Sequence, residues 1–209
     1  MSLSMNWRAC AVALVLLAGC QPSASDGKSV PLEVPANAQK AIFAGGCFWC
    51  TESDFEKLPG VVAAVSGYTG GHTENVRYED THDGSTGHTE AVEITFDPDQ
   101  VSYGQLVEIF FHEHDPLDGD GQFCDRGNQY RPAASYLDYK QKALALTAKK
   151  KAEEQLSLPI KTEITPASTF WKAEEYHQDY YKKNPLRYRY YRNACGRDDR
   201  IEKIWESVK

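Results

Sequence analysis

Apolar positions along this chain recur at two spacings, every second residue in some stretches and every third or fourth in others, and the changes of spacing divide it into elements. Residues 40–44 are the short apolar run Lys40-Ala41-Ile42-Phe43-Ala44, predicted to be a strand, with Gly45-Gly46 as the turn that ends it. Residues 47–57 then have helical spacing, with Phe48, Phe55 and the following Leu58 apolar. A run rich in β-branched residues predicts a strand over 61–68, and a Gly-, His- and Asp-rich loop follows over 69–87. Residues 88–96 alternate, with Ala91 or Val92, Ile94 and Phe96 facing inward, until Asp97-Pro98 stops the pattern.

Helical spacing returns over 102–112, where Ser102 is a suitable N-cap and Leu106, Val107, Ile109 and Phe110 line one face. A long polar loop is expected over 115–131, a strand over 133–137, a strongly periodic helix over 139–155 and a last short strand over 161–165. From 173 to 209 the pattern reads as helix and coil, divided by Pro185. Strands and helices alternate without the long βα period of a doubly wound fold. The expected class is therefore α+β, a single domain with a mixed sheet packed against helices and a long coil and helical C-terminal segment.

The N-terminus has a different pattern. Arg8 precedes an unbroken apolar run over 9–18, too short for a permanent membrane span, so a secretory signal is expected. The run ends in Leu17-Ala18-Gly19-Cys20, which resembles the bacterial lipobox. That resemblance implies removal of residues 1–19, acylation of Cys20, and a membrane-anchored lipoprotein facing the periplasm. Met5 is an alternative start with the same consequence. Residues 20–39, rich in Pro, Ser and Ala, read as a tether, and 40–209 as the folded domain.

Composition supports this division. The chain of 209 residues is 41% hydrophobic, with 4 Trp, 8 Phe and 12 Tyr, enough to build one core. Net charge is −7, and Lys149, Lys150 and Lys151 lie among acids on a helix, which argues against nucleic acid as a partner. A monomer is expected.

Of 6 cysteines, Cys10 leaves with the signal and Cys20 takes lipid, so Cys47, Cys50, Cys124 and Cys195 remain for structural disulfides or a redox cycle. Cys47 lies where a strand and its glycine turn meet a helix. Unpaired N–H groups and the helix dipole there are expected to lower its pKa and make it a nucleophile.

Gly46-Cys47-Phe48-Trp49 with Thr51-Glu52, then Gly60-Val61 and Ser66-Gly67-Tyr68-Thr69-Gly70-Gly71, resembles the signature of A-type peptide methionine sulfoxide reductases. Further matches are Tyr78, Gly87-His88-Thr89-Glu90, Phe111-His112-Glu113-His114-Asp115-Pro116 and Asp125-Arg126-Gly127-Asn128-Gln129-Tyr130-Arg131. The resemblance implies a ferredoxin-like fold and reduction of the S epimer of methionine sulfoxide, free or in oxidised envelope proteins. Cys47 is the implied nucleophile and Glu90 the acid, while Tyr78 and Tyr130 hold the sulfoxide oxygen. Phe48 and Trp49 enclose the methyl group, and Asp125 orients the bound residue. No cofactor or metal is implied, only an external dithiol such as thioredoxin.

A sulfenic acid on Cys47 needs a second thiol. Cys195, beside Gly196 in a segment expected to be mobile, is the expected principal resolving thiol, with Cys50 or Cys124 as a further relay. Cys50 stands where the family more often has Gly. Two other chemistries use some of the same residues. A thioredoxin-like oxidoreductase would use Cys47-Phe48-Trp49-Cys50 and Thr165-Pro166, but leaves Gly87 to Glu90 unexplained. A metal module would use Cys47, Cys50, His112 and His114.

Overall fold

The first strand buries side chains on both of its faces, and this sets the layering. The computed structural model describes residues 34–206; the signal segment, Cys20 and the tether up to residue 33 lie outside the described residues. Strand β1 (Gln39–Ala44) leads through Gly45-Gly46 into α1 (Phe48–Phe55), followed by β2 (Val61–Thr69), α2 (Tyr78–Thr81), β3 (Thr89–Phe96) and α3 (Tyr103–His112). Two-residue strands β4 (Gly121–Gln122) and β5 (Asp125–Arg126) pair within the long polar loop, before a 3-10 turn at Asn128–Tyr130. Then come β6 (Ala133–Tyr136), α4 (Tyr139–Leu156), β7 (Glu163–Pro166) and β8 (Trp171–Lys172). Three helices close the described chain: α5 (Tyr180–Lys183), α6 (Pro185–Ala194) and α7 (Arg197–Glu206).

The main sheet has the order β7-β6-β1-β3-β2-β8; β6 and β7 run parallel and the other pairs antiparallel, so the sheet is mixed. Alternation along β1 sends Ala41 and Phe43 into the main core, while Ile42 and Ala44 join a smaller cluster with Ala91, Ala133 and Phe170. On β3 the main-core row is Val92, Ile94 and Phe96. Helix α3 adds Leu106, Val107, Phe110 and Phe111 to it, and α4 adds Ala145, Ala148 and Ala152. Small residues let α4 lie close against α3 and the sheet.

Local chemistry sets the helix ends. Ser102 and Gln105 form a reciprocal capping box on α3, and Asp138 accepts the Gln141 N–H at 2.7 Å to start α4. Ser157 ends α4 in the left-handed region. The C-terminal segment around Cys195, read from sequence as helix and coil, is helical on both sides of that residue. Pro185 opens α6, Cys195 caps it, and α7 follows directly after Gly196.

Candidate active site

The strand-to-helix turn is built by glycine and held by a buried cation. Gly46 has φ +83°, and a Cβ there would meet Gln122 Cβ at 2.4 Å, so the turn excludes a side chain. Gln122 is itself fixed through Asp115. The Arg197 guanidinium, 2% exposed, donates to the Gly45 carbonyl at 3.0 Å and to the Glu113 carbonyl. Cys47 thereby becomes the N-cap residue of α1, its carbonyl accepting from Cys50 and Thr51 N–H.

Glu90 continues the core-facing row of β3 one step beyond Val92. It is 2% exposed, and its Oε2 accepts the Phe48 N–H at 3.0 Å. Burial pushes its carboxyl up to about 8, with the Phe48 bond pulling the other way and the Asp125 charge adding to the rise. The Tyr78 and Tyr130 hydroxyls hydrogen-bond each other and lie within electrostatic reach of Glu90 and Cys47. Tyr191 donates to Asp125 Oδ2 and is in hydrogen-bond contact with the Cys47 thiol.

Aromatic side chains cover the thiols. The Trp49 indole stacks on Tyr180 at 3.7 Å, meets Tyr191 edge-on, and donates its N–H to His177 Nδ1 at 3.0 Å. His177 is 1% exposed, and burial lowers its pKa to about 4. Because Nδ1 accepts from Trp49, the proton of the neutral ring sits on Nε2. The same ring packs against Phe48 at 4.8 Å and Tyr78 at 4.7 Å. Glu174 accepts from Tyr78 N–H and Tyr68 O–H, joining this wall to β2.

Cys47 is 7% and Cys50 2% exposed, and their side chains hydrogen-bond. The expected lowering of the Cys47 pKa is not found. Burial raises it well above the usual thiol range, and Cys50, Glu90 and Asp125 add to the effect. The lowered thiol is Cys50, first through its bond from Cys47 and then, against burial, through Arg197 and Arg192. Cys124 and Cys195 form a disulfide, with Cα atoms 4.9 Å apart.

Neither other reading gains from this geometry. His114 bonds Phe110 O and Thr162 Oγ1, and His112 stacks on Trp205, so the two histidines have partners away from Cys47 and Cys50. Pro166 ends β7, which β6 separates from β1.

The family model described as "Peptide methionine sulfoxide reductase" matches residues 39–209. The chain belongs to that family. A Rhizobium meliloti relative, "Peptide methionine sulfoxide reductase MsrA 2", is 54% identical over 83% of this chain and 88% of its own. Among solved structures, methionine sulfoxide reductase A of Corynebacterium diphtheriae aligns with TM-score 0.69 and 35% identity, over 73% of this chain and 77% of that one. Mxr1 from Saccharomyces cerevisiae, solved in complex with Trx2, shares the fold at TM-score 0.51 and 23% identity, over 73% and 91% of the two chains.

As a peptide methionine sulfoxide reductase the chain is an enzyme, and its reaction is cysteine-based reduction of methionine sulfoxide. In the candidate site the fold gathers Cys47, Phe48, Trp49, Tyr78, Glu90, Asp125 and Tyr130, all singled out in the sequence, from four stretches of the chain. It adds Glu174, His177, Tyr180 and Tyr191, which the sequence reading passed over. Their signal was present in the dense acidic and aromatic stretch Glu174-Glu175-Tyr176-His177-Gln178-Asp179-Tyr180.

Proposed function

We propose that this chain reduces the S epimer of methionine sulfoxide, free or in proteins, on the periplasmic side of a membrane to which Cys20 anchors it. One observation carries the chemistry: a buried carboxyl held at about 8, bonded to the backbone N–H next to the nucleophile. A sulfoxide oxygen leaves only when protonated, and Glu90 retains its proton at neutral pH.

In this reading the substrate methyl lies against Phe48 and Trp49, the oxygen faces Glu90, Tyr78 and Tyr130, and Asp125 orients the main chain. Three unlike walls accept one configuration at sulfur. Cys47 attacks the sulfoxide sulfur as Glu90 protonates the oxygen. Methionine leaves, and the oxygen remains on Cys47 as a sulfenic acid. Cys50 then attacks the Cys47 sulfur, its thiol proton leaves with the hydroxyl as water, and a Cys47–Cys50 disulfide forms. Cys50 already hydrogen-bonds Cys47, whereas Cys195 is engaged with Cys124, which favours Cys50 over Cys195 as the first resolving thiol. An external dithiol such as thioredoxin supplies the two electrons and two protons that restore the thiols.

The test uses separated epimers and the pre-reduced protein. The S form is expected to yield methionine and the R form none, with Cys47→Ser inactive on both. Equal consumption of both epimers, or substantial turnover by Cys47→Ser, would sink the proposal. For location, Cys20→Ala is expected to lose its acyl group and move to the soluble fraction; retention in membranes would contradict the anchor.

A further inference from the structure

We propose that the Cys124–Cys195 disulfide is redox-active and is the port through which electrons reach the site: a dithiol protein reduces it, and the released thiols reduce the Cys47–Cys50 disulfide inside. This rests on the reading of Cys47 and Cys50 given above and adds the path by which they are restored.

Exchange between thiol and disulfide requires a thiolate to approach the attacked sulfur directly. Cys47 and Cys50 lie beneath Trp49, Tyr180, Tyr188 and Tyr191, so a thiol carried on a folded surface meets aromatic rings before sulfur. Cys124 is exposed and Cys195 half-buried. Of the four sulfurs among the described residues, these two are the ones a protein reductant meets first.

The outer disulfide is also wired to the inner pair. A carboxylate oxygen of Asp125 lies within 4.8 Å of both the Cys124 and Cys195 sulfurs. Asp125 in turn accepts from Tyr191, whose hydroxyl contacts Cys47. Tyr191 sits one turn before Cys195 on α6, and the Cys195 N–H bonds its carbonyl at 3.0 Å. The disulfide and the Asp125–Tyr191 bond thus join the same two segments, the β5 hairpin and the end of α6. Reduction removes the covalent one of these two links and leaves the Asp125–Tyr191 hydrogen bond. Gly196, next to Cys195, has φ +65° and open space around it, which gives the released thiol a joint on which to turn.

The exchange balances in three steps. The donor gives two electrons and two protons to Cys124–Cys195 and leaves as its own disulfide. The Cys195 thiolate attacks the Cys47 sulfur and expels Cys50, the better leaving group because Arg197 and Arg192 stabilise its thiolate. Cys124 then attacks Cys195, re-forming the outer disulfide and releasing Cys47.

The experiment oxidises the wild-type protein with one equivalent of sulfoxide, then adds a thioredoxin lacking its second active-site cysteine and maps the trapped mixed disulfide by mass spectrometry. A link to Cys124 or Cys195 is expected. A link to Cys47 or Cys50, or none while intact thioredoxin supports turnover, would overturn the proposal. A Cys47 disulfide to Cys124 or Cys195 before thioredoxin is added would instead contradict the underlying reading of Cys50. As a second measurement, the double variant Cys124→Ser with Cys195→Ser is expected to lose at least about ten-fold in thioredoxin-driven turnover relative to dithiothreitol-driven turnover. An unchanged ratio would make the disulfide a structural staple only, whatever the loss in stability.

Discussion

Glu90 occupies a position that packing alone would give to an apolar side chain, since it continues the row of Val92, Ile94 and Phe96. The cost of ionising there keeps the acid protonated up to about pH 8. The first-turnover rate is therefore expected to lose the acid as pH rises through about 8, because the donating form disappears on that side. Glu90→Gln should lower the chemical step by roughly 10²–10⁴ and remove that alkaline limb, measured by rapid quench across pH 6 to about 9.5. An unchanged rate and profile would take Glu90 out of the chemistry. Glu90 and Cys47 were legible because each stands in a compact motif. His177 and Tyr191 were not, because their value lies in contacts across the fold: Trp49 to His177, and Asp125 to Tyr191. One tyrosine among 12 carries no such mark in the sequence.

At the scale of elements, β1, β2, β3, α3 and α4 were legible because each is long enough to show a period or carries a cap such as Ser102. The strands β4, β5 and β8 escaped because two residues have no period, and α2 because one turn has none. The α6 and α7 helices are mostly polar, with Tyr188 buried on α6 and a short inward face of Ile201, Ile204 and Trp205 on α7 beside the buried Arg197. Their extent around Cys195 was hidden for that reason. The glycine turn before α1 is the element on which the site depends most. Gly46→Ala forces a side chain into left-handed backbone and against Gln122. A stability loss of about 1–3 kcal/mol by chemical denaturation is expected, together with a slower first turnover. Wild-type values for both would show that the turn is less constrained than its geometry implies.

Across the whole molecule, the sheet carries Glu90, the first helix carries the paired thiols, and the C-terminal helices close over them and bring Cys195 to the Cys124 loop. The class of fold and most residues of the candidate site were legible in the chain, but the cysteine pairing was not. Four thiols allow three pairings, and only the packing of α6 against the β5 hairpin selects one. The central claim, that two buried thiols carry out the reduction while the outer pair stays joined, is tested most directly by disulfide mapping. Protein with Cys47 and Cys50 reduced and Cys124–Cys195 intact is mixed with one equivalent of the S sulfoxide, quenched with acid, alkylated and digested. One methionine per chain, a new Cys47–Cys50 disulfide and an unchanged Cys124–Cys195 disulfide are expected. Methionine formed with Cys47 linked instead to Cys124 or Cys195, or with both buried thiols still free, would contradict it.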